Sequence, residues 1–237
     1  MRISIHQPQY FPWLGYFDKI ATVDVFVLLD NVPYSKNYFY NRNRIKIKGG
    51  WTWITVPVIT KGRMGQLIKD VEIDNKWLWR DKHLKSIYLA YKKAPYFDIY
   101  FSGVEDILKR EWFLLAELCE ETIKFIMMAF NIHTPIYKAS QLGVSGSKED
   151  LLIQICKTLR AEEYLSGRDG RNYLNLDKWH KAGIKVFFQD FKNPKYPQLH
   201  GDFLPQMSAL DFLFNCGENS LKILLDENGE KVDYLLK

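Results

Sequence analysis

Two short apolar stretches joined by one helix-length segment open the chain, and they constrain its fold more than any other feature. Ile3 to Ile5 and Val25 to Leu29 predict buried strands, and Trp13 to Ala21 predicts an amphipathic helix between them. Strands connected through a helix run parallel and form a βαβ crossover. The sequence therefore predicts an α/β fold that begins with a Rossmann-like unit.

The last third of the chain repeats this alternation of strand and helix. Glu163 to Ser166 and Ile184 to Phe188 predict strands, and Lys148 to Leu159 and Asn172 to Ala182 predict helices, the first with Ser147 as its N-cap. We expect these strands to join the first two in one parallel sheet.

A mainly helical insert is predicted between the two ends, over residues 75–131. Its helices are expected over Trp77 to Tyr91 and Gly103 to Phe130, after a strand over Trp51 to Ile59. Further helices are expected from Ser208 onward. We interpret residues 1–237 as a single α/β domain.

Composition narrows the possible partners. The net charge of +5 and the pI near 8.9 fall short of the clustered basic surface typical of nucleic-acid binders, so we expect no nucleic-acid partner. No apolar run approaches the roughly 20 residues of a membrane span, and His6 and Gln7 interrupt the amino-terminal one. Three widely spaced cysteines indicate neither a disulfide framework nor a zinc site. We expect a soluble cytoplasmic protein without a metal site.

The first candidate site follows the first strand. His6, Gln7, Gln9 and Tyr10 lie where the strand ends and the helix has not yet begun, and α/β proteins bind ligands at such positions. A core histidine satisfied by backbone groups is the alternative. The HxGH motif of nucleotidyl-transferring folds has a histidine at this position, although its Gly and second His are missing here.

The second candidate site is a polar and basic segment after the second strand. Arginine grips phosphate or carboxylate through two parallel hydrogen bonds, and asparagine suits hydroxyl groups. A solvated loop or edge strand is the alternative. The segment is expected to lie beside His6, and its candidate binding residues are Asp30, Lys36, Asn41, Arg42, Asn43 and Arg44.

Two further segments are candidates in the last third. A turn between a strand and a helix contains Ser166, Gly167, Arg168 and Tyr173, whose backbone amides suit an anion. A surface turn is the alternative.

The final segment is a proline-flanked loop with Gln198 and His200, followed by Asp211 and Asn215 one helical turn apart. His200 is the candidate general base. Pairing of His200 with a nucleophilic Cys216 is a further alternative, weighed against a buried and inert thiol.

These segments carry a family resemblance that spans nearly the whole chain. The strings IHQPQYFPWLGYFDKI, FVLLDNVPYSK, NRNRIK, WTWITVPV, YLSGRDGRNYL and YPQLHGDFLPQMSALDFLFNCG resemble the WbqC-like family. Members of that family look like products of bacterial surface-polysaccharide gene clusters. The resemblance thus implies a role in O-antigen or capsule assembly.

Together these features favour an enzyme, a transferase or ATP-dependent ligase, acting on a nucleotide-activated sugar or amino sugar. The expected reaction is acyl, nucleotidyl or amide-forming transfer, with ATP or an acyl donor as the candidate cosubstrate. His6 and His200 are the predicted catalytic residues. The alternative is a non-catalytic protein of the same pathway that binds a glycan or a partner.

Overall fold

A six-stranded, mainly parallel sheet forms the centre of the protein. The computed structural model describes residues 1–228 and 232–233. The strand order is β5-β2-β1-β6-β7-β8, and only the β7–β8 pair is antiparallel. The strands of this sheet are β1 (Arg2–His6), β2 (Val25–Leu28), β5 (Ile136–Lys138), β6 (Glu163–Ser166), β7 (Lys185–Gln189) and β8 (Val232–Asp233).

Helices cover both faces of the sheet, which explains why its central strands are apolar on both sides. One face packs against α5 and α6, and the other against α1, α4 and α7. The helices are α1 (Leu14–Ala21), α2 (Trp79–Tyr91), α3 (Phe97–Lys109), α4 (Leu115–Ala129), α5 (Lys148–Thr158), α6 (Leu176–Lys181), α7 (Ala209–Cys216) and α8 (Ser220–Asn228). No helix in the described part of the chain is both long and apolar enough to cross a membrane.

The strand order confirms the predicted Rossmann-like sheet formed by the two ends of the chain. From β1 the chain winds to one side through β2 and β5, and it then returns to the other side of β1 through β6 and β7. The order therefore reverses between β1 and β6. In open α/β sheets a crevice opens at this point, outside the carboxyl ends of the two strands.

A separate antiparallel hairpin forms over residues 42–55, where the sequence predictions were different. For the segment with Asn41 and Arg42 a binding loop was expected, with a solvated loop or edge strand as the alternative, and a longer strand was expected over residues 51–59. Instead β3 (Arg42–Ile47) pairs with β4 (Gly50–Thr55), with Arg44 opposite Trp53. Alternate residues Asn43 and Ile45 are buried, so the hairpin packs one face on the core and leaves the arginines on the other.

Three local predictions differ from the structure. The helix expected over residues 103–130 is two helices, α3 and α4, broken at residues 110–114. Ser147 stands at the N-cap position of α5, but its side chain makes no capping hydrogen bond. Strand β5 was not predicted, because three half-exposed residues give too short a pattern to distinguish from a loop.

Candidate functional site

A cavity of about 1240 Å³ opens at the carboxyl ends of β1 and β6, where the strand order reverses. Residues from β1, α1, α5, the loop after β6 and the end of β7 line it. Of the predicted site residues it brings together seven: His6, Gln7, Gln9, Arg44, Gly167, Arg168 and Tyr173.

Lys19 of α1 also lines this cavity, and it is 2% exposed. Its Nζ lies 4.0 Å from the point that a Cβ atom on Gly167 would occupy. Among the described residues the ammonium has no hydrogen-bond or ion-pair partner. Burial lowers the pKa of Lys19 to about 7, and the neighbouring Asp18 carboxylate opposes that shift. The buried amine of Lys19 on the cavity wall therefore gains or loses its proton near neutral pH.

Asp18 is anchored beneath the cavity by the end of β7. The Gln189 side-chain amide donates to Asp18 Oδ2, and also to the Gly15 carbonyl oxygen at 2.8 Å. Burial raises the pKa of the Asp18 carboxyl to about 6, which the Gln189 hydrogen bond and Lys19 partly offset. Gln189 therefore ties α1 to the sheet and fixes the turn that presents Lys19.

His6 ends β1 at the same crevice. Its ring packs at 5.0 Å from the Tyr16 ring, and its buried Nδ1 has no partner among the described residues. Burial, together with the positive charge of Lys19, holds the pKa of His6 well below its usual value. The imidazole is accordingly neutral, and the positive charge at this end of the cavity comes from Lys19.

The two glutamines after His6 differ in their contacts. Gln9 is 3% exposed, and its Oε1 has no partner among the described residues although the residue lines the cavity. The backbone oxygen of Gln7 accepts a hydrogen bond from the Tyr16 hydroxyl at 3.1 Å, which fixes the turn. Gln9 thus keeps a buried, unsatisfied amide oxygen in the wall of the cavity.

Two arginines complete the polar walls. Arg44 donates through Nη2 to the backbone and side-chain oxygens of Gln206, at 3.0 and 3.2 Å. Arg168 begins the 3₁₀ turn Arg168–Asn172 directly after Gly167. Within that turn, a Cβ at Gly170 would lie 2.1 Å from Ser166 Oγ, so only glycine lets the turn close over the end of β6.

Aromatic rings form the remaining walls. Trp13 and Phe191 meet edge to face with their ring centroids 5.1 Å apart, and both line the cavity. Tyr38, Phe39 and the 65%-exposed Tyr173 line it as well. The cavity therefore combines cationic groups with ring surfaces that suit a planar base or a sugar.

The structure does not bring the asparagines of the second candidate segment to the cavity. Asn41 donates to the Val56 carbonyl oxygen at 2.7 Å, and Asn43 donates to that of Phe11 at 2.7 Å. Arg42 donates to the Asn37 carbonyl oxygen at 2.5 Å and lies over the Trp53 ring. These side chains hold the hairpin in place, so Arg44 alone represents the segment in the cavity.

His200 was expected beside His6, and the structure places it elsewhere. Its Nε2 donates to the Ala90 carbonyl oxygen of α2 at 2.7 Å. Cys216 is buried, and burial raises the pKa of its thiol to about 12, which agrees with the inert-thiol alternative. Neither His200 nor Cys216 lines the cavity.

The neighbours of His200 form a buried polar cluster of their own. Asp211 Oδ2 accepts from the Tyr196 hydroxyl and from Gln198 Nε2, both at 2.7 Å. Asn215 donates to the Asp211 carbonyl oxygen at 2.7 Å. These hydrogen bonds fix the loop against α7, and none of the four residues lines the cavity.

Four other predicted binding residues also lie outside the cavity lining. Tyr10 is 0% exposed and its hydroxyl bonds His83 Nδ1 at 3.0 Å. Asp30 accepts from the backbone amide and hydroxyl of Ser140, at 2.9 and 2.6 Å. Lys36 is exposed on the loop before β3, and Ser166 is buried beneath the Gly170 turn. The polar groups of Tyr10 and Asp30 are therefore used in hydrogen bonds within the protein and not in the cavity.

Sequence reasoning missed Lys19, Gln189, Trp13 and Phe191. The sequence predicts an amphipathic helix with a solvated face around Lys19, whereas in the structure Leu14 through Ile20 of α1 are all buried. A lysine in a helix without a solvated face is either paired or functional. Within the described part of the chain, no group of His, Cys, Asp or Glu side chains is placed to hold a metal ion.

Two comparisons of the sequence with known proteins found matches. The sequence model of the WbqC-like protein family matches residues 7–223. The uncharacterized protein Rv1507c of Mycobacterium tuberculosis (strain ATCC 25618 / H37Rv) is 34% identical over 218 residues, which cover 91% of this chain and 94% of that protein. No solved structure matches the chain significantly. The matched span includes every residue of the cavity wall from Gln7 onward.

Proposed function

The chain belongs to the WbqC-like protein family, and we propose that it is an enzyme that transfers a group onto a nucleotide-activated amino sugar. The observation that supports this most strongly is the position of Lys19. Its buried ammonium lines the cavity beside Gly167, without a partner among the described residues. The Asp18 carboxylate offsets the cost of burying this charge only in part, so an anionic ligand would stabilise it further.

A diphosphate fits this environment better than a carboxylate does. The cavity lining has four cationic side chains and two carboxylates, so a ligand with two ionised groups meets an excess of positive charge: Lys19, Arg44, Lys148 and Arg168 against Glu149 and Asp169. The rings of Trp13 and Phe191 supply apolar surface for the base or the sugar of the same ligand. A nucleotide sugar combines the diphosphate with both kinds of ring.

His6 suits the proton transfer that acylation of an amino sugar requires. The sugar amine attacks the carbonyl carbon of the acyl donor, a carbon–nitrogen bond forms, and the donor's leaving group departs with its electron pair. The nitrogen then loses a proton, which the unpartnered Nδ1 of neutral His6 accepts. A weakly basic imidazole suffices, because the attacking nitrogen becomes acidic once the bond has formed.

We place this activity in bacterial surface-polysaccharide assembly, the setting that the family resemblance implies. ATP in place of an acyl donor would make the reaction a ligation. Glycan binding without turnover is the alternative, and a turnover assay decides between them.

The test is a thermal-shift and turnover panel with UDP- and dTDP-amino sugars, ATP and acetyl-CoA. Ligands that bind the native state raise its Tm, so a nucleotide sugar is expected to shift wild type and not Lys19→Met. Lys157→Met, at an exposed position of α5 away from the cavity lining, is the matched control and keeps the shift. If no nucleotide compound at saturating concentration raises the Tm of wild type, the proposal fails. Binding without acyl transfer favours the non-catalytic alternative.

A further inference from the structure

A second cleft, of about 510 Å³, lies between β4 and α2 and contains three tryptophans. Trp53 lies on one side, and Trp77 and Trp79 lie on the other. None of these residues takes part in the cavity described above.

Two of the three tryptophans of this cleft donate an indole N–H hydrogen bond to a neighbouring side chain. Trp77 Nε1 donates to Asp74 Oδ2 at 3.2 Å, and Trp79 Nε1 donates to Asn75 Oδ1 at 3.3 Å. Trp77 is nonetheless 60% exposed. With its N–H group satisfied, what Trp77 presents to solvent is apolar ring, and ring surface of this kind binds the C–H faces of a pyranose sugar.

The charge of the cleft is positive. Lys82 and Lys85 lie one helical turn apart on α2, both line the cleft, and neither forms an ion pair with a described residue. No aspartate or glutamate lines the cleft. His83 contributes no charge, because burial lowers its pKa to about 4. The complementary ligand therefore carries negative charge as well as apolar faces.

The outer face of the hairpin links this cleft to the cavity. Arg42 lies 4.3 Å above the Trp53 ring, and Arg44 lies 5.3 Å from the Trp51 ring centroid. Phe39, which lines the cavity, contacts Trp53 at 5.7 Å between ring centroids. A strip of alternating rings and guanidinium groups thus runs from one site to the other.

We propose that the cleft binds an acidic oligosaccharide. This oligosaccharide is the acceptor or carrier of the sugar that reacts in the cavity. The second part rests on the proposed function, whereas binding to the cleft stands on the geometry alone. Uronic-acid residues satisfy both requirements: their ring faces pack on Trp53 and Trp77, and their carboxylates pair with Lys82 and Lys85.

The ring geometry favours a glycan over single-stranded nucleic acid. Successive bases stack on successive open ring faces. On the hairpin face beside the cleft, Trp51 and Trp53 meet at 83°, and Arg42 covers one face of Trp53. These two hairpin rings therefore do not extend the cleft as the row of parallel platforms that a run of bases requires.

The test is a titration of intrinsic tryptophan fluorescence with oligogalacturonates of increasing length. Neutral maltohexaose and oligothymidylate serve as comparison ligands. We expect affinity for the oligogalacturonates to rise with length and to exceed that for both comparison ligands. Trp77→Ala, at an exposed position, is expected to weaken binding at least tenfold, and Phe113→Ala, at a 68%-exposed aromatic outside the cleft, to leave it unchanged.

The charge contribution is tested by Lys82→Ala combined with Lys85→Ala, which is expected to abolish the preference for the acidic chain over maltohexaose. Equal binding of acidic and neutral chains to wild type, tighter binding of oligothymidylate, or unchanged affinity in Trp77→Ala would each overturn the proposal. Lys19→Met is expected to keep oligogalacturonate binding, and Trp77→Ala is expected to keep the UDP-sugar shift. The proposal for the cavity and the proposal for the cleft can therefore be refuted independently.

Discussion

Lys19 Nζ lies 4.0 Å from the point that a Cβ atom on Gly167 would occupy, and we propose that a phosphate group binds at this end of the cavity. Lys19 comes from α1, on one side of the point where the strand order reverses, and Gly167 follows β6 on the other. The missing side chain at position 167 leaves space beside a buried ammonium. Both features are needed for a phosphate group to approach.

Gly167→Ala is expected to weaken nucleotide-sugar binding without unfolding the protein. The backbone at Gly167 has φ −65° and ψ 163°, which alanine adopts freely. The added methyl group takes up space beside Lys19, and we expect a loss of about tenfold in affinity, or about 1.4 kcal/mol, by calorimetry. Gly170→Ala is the contrasting variant: it lowers the Tm, because its Cβ meets Ser166 Oγ. Unchanged affinity in Gly167→Ala would contradict the proposal that a phosphate group binds beside Gly167.

Lys19→Met is expected to stabilise the ligand-free protein. The pKa of Lys19 is about 7 in the folded state and near 10.5 when unfolded, so the unfolded state binds more protons between these values. The cost of burying the charge is complete below about pH 7 and disappears toward pH 10.5. Urea unfolding at pH 6.5 should show a gain of roughly 2–4 kcal/mol, shrinking as pH rises. Lys157→Met should show no such gain.

Nucleotide-sugar affinity is expected to fall as pH rises above about 7. An anion bound beside Lys19 favours the charged amine and raises its pKa, so binding is tightest where the amine is already protonated. Asp18 titrates lower, near pH 6, and His6 stays neutral throughout this range. Calorimetry between pH 6.5 and 8.5 should show a loss approaching tenfold per pH unit. Lys19→Met should flatten the profile, and a wild-type affinity independent of pH would contradict the role of Lys19.

His200→Ala is expected to change stability and leave ligand affinity intact. The His200 side chain bonds the Ala90 carbonyl oxygen and does not line the cavity. Losing this hydrogen bond costs about 1 kcal/mol, measurable by urea unfolding. Nucleotide-sugar affinity should stay within about twofold of wild type. A tenfold loss of nucleotide-sugar affinity at unchanged stability would show that His200 takes part in ligand binding.

The sequence alone predicted the site where local pattern governs position. Alternating strands and helices imply a parallel sheet, and polar residues after its strands meet at one edge. His6, Gln7, Gln9, Gly167 and Arg168 line one cavity, and their role in binding stays a prediction. These residues directly follow predicted strands, so the strand register carries them to the same place.

Residues on loops and helices far from a strand end were predicted less well. Asn43 and Arg44 are adjacent in sequence, yet the pleat of β3 turns Asn43 into the core and Arg44 toward the cavity. His200 lies on a long loop whose path depends on α2 and on the cluster around Asp211. No local pattern encodes such long-range contacts.

The sequence by itself determined the α/β class and the edge of the sheet at which the site lies, because hydrophobic periodicity is local and sheet topology follows from it. The tertiary structure alone decided that Lys19 is the buried cation, that Gln189 and Asp18 hold its helix, and that His200 lies elsewhere. Burial and pairing depend on neighbours distant in sequence. A charge in an apparently ordinary helix becomes informative only when all faces of that helix are covered.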